Sequence, residues 1–320
     1  MRLRMIALAC SIACAHGSAA MAPPGQAAPD QTRDELDQLV APIALYPDAL
    51  VAQVLAASTY PTEIVEADHW LQQQSSLQGQ QLAQEVDKQS WDPSVKALTQ
   101  FPTVLANLDK NLSWASALGE AYVDQQQAIL DAVQRMRARA QQAGNLQSNS
   151  QQAVTVQGST IAIEPVSPDV VYVPAYDPWI VYGPPLAPWA GWYWYPGLYG
   201  PGPGIAFGIG FGIGVFGGFG WGWHHWGADW RDRRIAFDHH EWVSRSRTFI
   251  GHDHFYRGGP GFHGRPDFHG YQGMPRGVRS GAFSGFDHAG VTRSFSGRGF
   301  SSAGGRLGGF HGGGFHGGHR

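Results

Sequence analysis

The sequence predicts an α+β protein: a small N-terminal helical bundle, a few short β-strands, then a Gly/Trp-rich stretch and a disordered, Gly/His/Arg-rich C-terminal region. Three observations predict it. Apolar stripes of helical period, stepped by prolines, run from Asp30 to about Gln142. Alternating and β-branched runs occupy 151–183. Of 43 glycines, 37 lie from Gly183 onward, where a packed core is hardest to build.

Residues 1–22, MRLRMIALACSIACAHGSAAMA, have the pattern of a secretory signal peptide. Arg2 and Arg4 form the positive start, an apolar stretch follows, and Ser18-Ala19-Ala20 or Ala20-Met21-Ala22 offers a small-x-small cleavage site. Export to the periplasm or cell surface is therefore expected, with membrane association as a variant. Both cysteines, Cys10 and Cys14, fall in this segment. The mature chain then has no disulfide, no thiol nucleophile and no thiolate ligand, and packing alone must hold it.

The bundle is placed at 23–150. Asp30 is the expected N-cap of a first helix over Asp30–Leu39. Pro47, Pro61, Pro93 and Pro102 each stand where a first helical turn tolerates a missing N–H. After Pro47, Leu50, Val51, Val54 and Leu55 form one stripe; after Pro61, Ile64, Val65, Trp70 and Leu71 form another. A glutamine-rich helix covers about 79–88. One long helix is expected over about 113–142, striped by Trp114, Leu118, Tyr122, Ile129, Val133 and Met136. Arg135, Arg137 and Arg139 suit its C-terminal dipole, and Gly144 suits its end. Five to six helices result.

In 151–183, AVTV, TIAIEP, DVVYVP and WIVYG read as strands, with Ser167-Pro168-Asp169 and Tyr176-Asp177-Pro178 as turns. The phrases LVAPIALYPDALVAQVLAASTYPTEIVEADHWL, WDPSVKALTQFPTVLANLDKNLSWASALGEAYVDQQQAILDAVQRMR and IAIEPVSPDVVYVPAYDPWIVYG occur in that order. Over roughly 30–183 they resemble a bacterial exported family known as domain of unknown function 3300. The resemblance implies an envelope or secreted protein. It implies no activity, cofactor or catalytic residue.

Residues 184–256 form a Gly/Trp/His-rich apolar segment. Within it, Ile205–Trp223 carries no charge and eight glycines. Ile205, Phe207, Ile209, Phe211 and Ile213 alternate with period two, which favours an extended, packed or self-associating strand over a membrane helix or an irregular linker. The tryptophans from Trp179 to Trp242 are expected to pack on the bundle or on one another, with a carbohydrate-stacking surface as the alternative.

Charge divides the chain. Residues 22–150 hold 15 acidic and 7 basic side chains, and residues 224–320 hold 7 acidic, 13 basic and 12 of the 14 histidines. The basic region 257–320, with its repeated Phe-His-Gly, is expected to stay disordered and to adhere to anionic envelope polymer or a membrane surface. Nucleic acid is not an expected partner of an exported chain. No catalytic residue stands out, so a non-enzymatic envelope or surface interaction protein is expected, with a periplasmic histidine-based transition-metal binder and an envelope hydrolase as the alternatives. His240-Glu241 lacks the second histidine of a zinc-protease helix, and no Gly-x-Ser-x-Gly elbow occurs. Glu66 and His69 have the spacing of a di-iron helix, but no second copy exists, so a surface face is expected. The best metal-like spacings are His224-His225, His239-His240 and His252-x-His254. Imidazole there suits zinc, copper or nickel, bound weakly; no resident cofactor is expected.

Overall fold

The computed structural model describes residues 30–248. The signal-peptide expectation at 1–22 and the tail expectation at 257–320 fall outside the described residues. The α+β reading holds: eight described helices are followed by seven short, antiparallel strands.

Helix α1 (Arg33–Val40) starts two residues later than an Asp30 cap predicts. Thr32 is the N-cap: its hydroxyl accepts from the Glu35 N–H while the Glu35 carboxylate accepts from the Thr32 N–H at 2.9 Å. This reciprocal box satisfies two backbone donors at once, which a lone Asp30 cannot do. Helix α2 (Asp48–Ala57) follows Pro47. Its expected single stripe is corrected, because every residue from Leu50 to Ala57 is buried. A helix apolar all round sits at the centre of a domain rather than on its surface. The helices α3 (Pro61–Gln73), α4 (Gly79–Asp87), α5 (Pro93–Leu98) and α6 (Pro102–Lys110) begin where the prolines and Gly79 place them.

The single long helix is in fact two, α7 (Leu112–Asp124) and α8 (Gln126–Gln142), broken at Gln125, whose φ of −135° and ψ of 44° are not helical. The break lets α7 lie against α2 while α8 packs along α1. The α2–α7 approach is close at Gly119, where a Cβ would stand 2.1 Å from the Ser58 carbonyl oxygen. All six predicted stripe residues of the pair are buried. Gly144, at φ +78°, closes α8, and the Asn145 N–H returns to the Ala140 carbonyl at 2.9 Å.

Arg137 does far more than complement a dipole. It is fully buried. Its guanidinium donates to the Ala44, Tyr46 and Ile161 carbonyls at 2.8–2.9 Å and to Asp48 Oδ1 at 2.6 Å. The Trp230 ring lies over it at 4.7 Å. Asp48 completes the knot by accepting from the Ile163 N–H at 3.1 Å and from the Trp230 indole at 2.7 Å. Five elements of the chain therefore meet at one buried ion pair.

Strands β1 (Gln152–Gln157) and β2 (Thr160–Pro165) form a hairpin turning at Gly158, φ +62°. Strand β3 (Val170–Tyr176) pairs with β4 (Ile205–Gly212), slipping register between Tyr172 and Pro174, where proline has no N–H to give. WIVYG is not a strand. Asp177 accepts from the Trp179 N–H at 2.9 Å, and its carbonyl accepts from the Val181 N–H, coiling the chain into turns. Those turns bring Tyr182 beside Tyr176, and both phenols donate to the Ala41 carbonyl. The period-two reading of the glycine-aromatic segment holds for Ile205–Gly212; past it the chain makes short 3-10 turns at Gly214–Phe216 and Trp223–His225. No described helix is long and apolar enough to cross a membrane.

Strands β5 (Trp226–Asp229), β6 (Arg234–Phe237) and β7 (His240–Glu241) form a meander. From 205 to 248 the chain runs as a strap over the helices. Phe101 packs between Phe211 and Trp223, at 5.5 and 5.6 Å. The Trp221 indole donates to Asp87 at 2.9 Å. Trp242 meets Tyr60 and Tyr122, and the Arg245 N–H donates to the Tyr60 hydroxyl at 2.9 Å. The predicted packing of the tryptophans on the bundle is thus seen for most of them: Trp179, Trp189, Trp221, Trp223, Trp226 and Trp242 are buried.

Candidate functional site

The exceptions to that packing define the site. In GWYWYPGLYG, residues 191–200, Gly191 and Gly197 take φ of +79° and +86°, a left-handed region that side chains avoid. The loop they shape turns Trp192 inward. Its ring is held edge-on by Trp114 at 4.8 Å and by Trp179 at 5.8 Å. Buried Asn111 at the C-terminal end of α6 clamps the next residue: it accepts from the Tyr193 N–H at 2.7 Å and donates to the Tyr193 carbonyl at 3.0 Å. Tyr193, Trp194 and Tyr199 are then held outward, 53%, 44% and 38% exposed. The Trp194 and Tyr199 rings are 4.0 Å apart and tilted by 47°, and the Lys110 ammonium lies over Tyr193 at 5.4 Å. A narrow groove beside them is walled by Pro42, Pro178, Trp192, Tyr195 and Leu198. The buried indole N–H of Trp192 has no acceptor among the described residues.

A polar cluster on α3 and α6 lies within the field of Tyr195. Asp68 is 3% exposed and accepts from Gln72 Nε2 at 2.6 Å. Burial, then the neighbouring Asp109 carboxylate, raises the Asp68 pKa above the ordinary carboxyl value; burial likewise raises that of Asp109, with His69 and Lys110 opposing it. The Tyr195 phenol is raised by its own burial and by Asp68, which places it in that same field. A phenol, Tyr195, and an ammonium, Lys110, thus stand beside exposed rings, an arrangement able to accept from and donate to hydroxyl groups. Glu66 and His69 of the di-iron spacing are exposed on α3, the surface face expected of them.

The predicted metal residues are less gathered. His224 is exposed and lines a cleft of about 380 Å³ with Asp48, Glu164 and Trp226. His225 shares a hydrogen bond with Asp238 instead of pairing with His224. Asp238 and His239 form the β6–β7 turn with φ of +52° and +63°, and His239 and His240 are exposed. Among the described residues no group of three or more His, Cys, Asp or Glu side chains could hold an ion. His252 and His254 lie outside the described residues.

The exposed tyrosines and the Asn111 clamp were not singled out by sequence reasoning. Their signal was a run of four aromatics in 192–195 between glycines, which argues for a shaped loop more than for a linker.

The model of the family described as "Protein of unknown function (DUF3300)" matches residues 32–257. The chain belongs to this family. The family's span therefore takes in the aromatic ledge and the strap as well as the helices, well past the 30–183 stretch that carried the resemblance. The chain is also 48% identical over 114 residues to a protein of Escherichia coli (strain K12) described as "Uncharacterized protein YacH", a match over 36% of this chain and 18% of that protein. It thus spans less than a fifth of that relative's length. No solved structure matches the chain.

Proposed function

We propose that this DUF3300 protein is an exported, non-enzymatic interaction protein of the cell envelope or surface, whose cationic C-terminal region adheres to anionic envelope polymer or membrane. The observation that carries the reading is a division of charge. The described body, 30–248, bears 22 acidic and 12 basic side chains, whereas 249–320 bears 3 acidic and 8 basic ones plus eight histidines. A net negative body with a cationic extension is repelled from an anionic surface at one end and drawn to it at the other, so the extension makes the contact. Its phenylalanines and arginines add apolar and cation–π contact to the Coulomb attraction.

Titrating the full chain with phosphatidylglycerol vesicles tests this. Binding should weaken as salt rises, since screening acts on exposed charge. It should tighten as pH falls below about 6.5, where free imidazole gains a proton. Replacing the eight arginines of 249–320 by glutamine in the full chain should abolish it. Equal binding by that variant, or binding indifferent to salt and pH, overturns the reading.

A further inference from the structure

We propose that the Tyr193–Trp194–Tyr199 ledge is a glycan-binding site, taking a polymer of pyranose sugars across its rings. It is separate from the tail and does not depend on the tail's adhesion.

The ledge is built, not accidental. Large aromatics usually find burial, and among the described residues most tryptophans do. Here two glycines in left-handed backbone, the inward Trp192 and the two-way Asn111 clamp hold the three rings of one loop against water. Ordering a loop so that its apolar side chains stay exposed gives folding little in return, which points to a ligand as the missing cover.

The occupant follows from the surrounding chemistry. A pyranose ring presents a face of weakly positive C–H groups, which suits the negative face of an aromatic ring. Its hydroxyls project sideways, and each both donates and accepts. The ledge's border offers both kinds of partner: the Lys110 ammonium over Tyr193 donates, and the Tyr195 phenol in the adjoining groove both donates and accepts. The Trp194 and Tyr199 rings, 4.0 Å apart at their centres, form one continuous apolar surface for a sugar face. A cationic peptide fits less well. The Lys110 ammonium already stands over Tyr193 and would repel it.

The test is calorimetric titration of the full-length protein with neutral hexasaccharides, one of β-1,4-linked glucose and one of β-1,4-linked N-acetylglucosamine, in 0.5 M salt. Neutral probes in high salt silence the tail, so this result is read separately from vesicle adhesion. Wild type should bind at least one probe. Trp194→Ala combined with Tyr199→Ala should weaken binding at least tenfold with the melting temperature little changed, because both rings lie at the surface and lean on each other. Trp194→Phe alone, which keeps a ring, should retain most of the binding. Failure of wild type to bind either probe overturns the proposal, as does undiminished binding by the double variant.

Discussion

The helices of 33–142 and the strap of 205–248 are held in place by different means. The helices carry local instructions: a capping box on α1, prolines at the starts of α3, α5 and α6, apolar stripes, and Gly144 at the end of α8. The strap carries almost none. Glycine-rich backbone has low preference for any element, and ordering it costs roughly 1–2 kcal/mol per residue. Its conformation is set by where its tryptophans and polar backbone land on the helices. Local code positions the first region, and long-range insertion positions the second.

The largest effect should come where the two regions meet. Arg137→Met removes the charge that Asp48 needs and leaves the buried Ala44 and Tyr46 carbonyls without their donor, while the Ile161 carbonyl keeps only Gln134. Loss of one member of a buried pair costs about 3–5 kcal/mol. Urea unfolding should show a loss of that size, and Arg137→Lys should recover little, since one ammonium cannot serve four acceptors. A loss below 1 kcal/mol would mean the two regions are not joined at this pair.

Next comes the strap itself. Trp223→Ala empties a site against Phe101; burying a large aromatic side chain is worth about 3 kcal/mol. Far-ultraviolet circular dichroism should keep its helical signal while proteolysis within 205–248 accelerates. Uniform loss of helix and strap together at room temperature would contradict a strap positioned from outside itself.

Thr32→Ala touches only local code. It should lower stability by about 1 kcal/mol, as lost N-caps do, and leave strap proteolysis unchanged. Smallest is a pH effect at the ledge. Burial raises the Asp68 pKa in the folded state, so the folded chain holds that proton more tightly than the unfolded chain. The resulting penalty is fully present above the folded value and absent below the ordinary carboxyl range. Asp68→Asn should therefore gain stability on wild type near pH 7 and lose that advantage as pH falls through the carboxyl range. Paired thermal melts at several pH values check it; an advantage that grows on acidification has the wrong sign.

The same division explains what could be read in advance. Pro61, Pro93 and Pro102 announce their helices because proline at a first turn acts within a few residues. The break at Gln125 could not be read, since the Trp114-to-Met136 stripe passes through it unbroken; only the need to pack α7 on α2 and α8 on α1 requires it. WIVYG has strand composition, yet the Asp177 carboxylate and carbonyl coil it, a competition that composition does not reveal. Arg137 looked like one of three dipole-complementing arginines, and nothing local distinguishes it from half-buried Arg139. At the ledge, the aromatic run of 192–195 was visible, but which ring goes inward is decided by Trp114, Trp179 and Asn111, all distant in sequence.

The central claim is that strap and helices form one folded body despite their unlike origins. Native-state hydrogen exchange addresses it directly through the β3–β4 ladder, where Val171 pairs with Phe211 and Ala175 with Ala206. The account predicts slow exchange of these amides, with opening free energies close to those of α2. Exchange of the β4 amides at unprotected rates, while α2 stays protected, would contradict it.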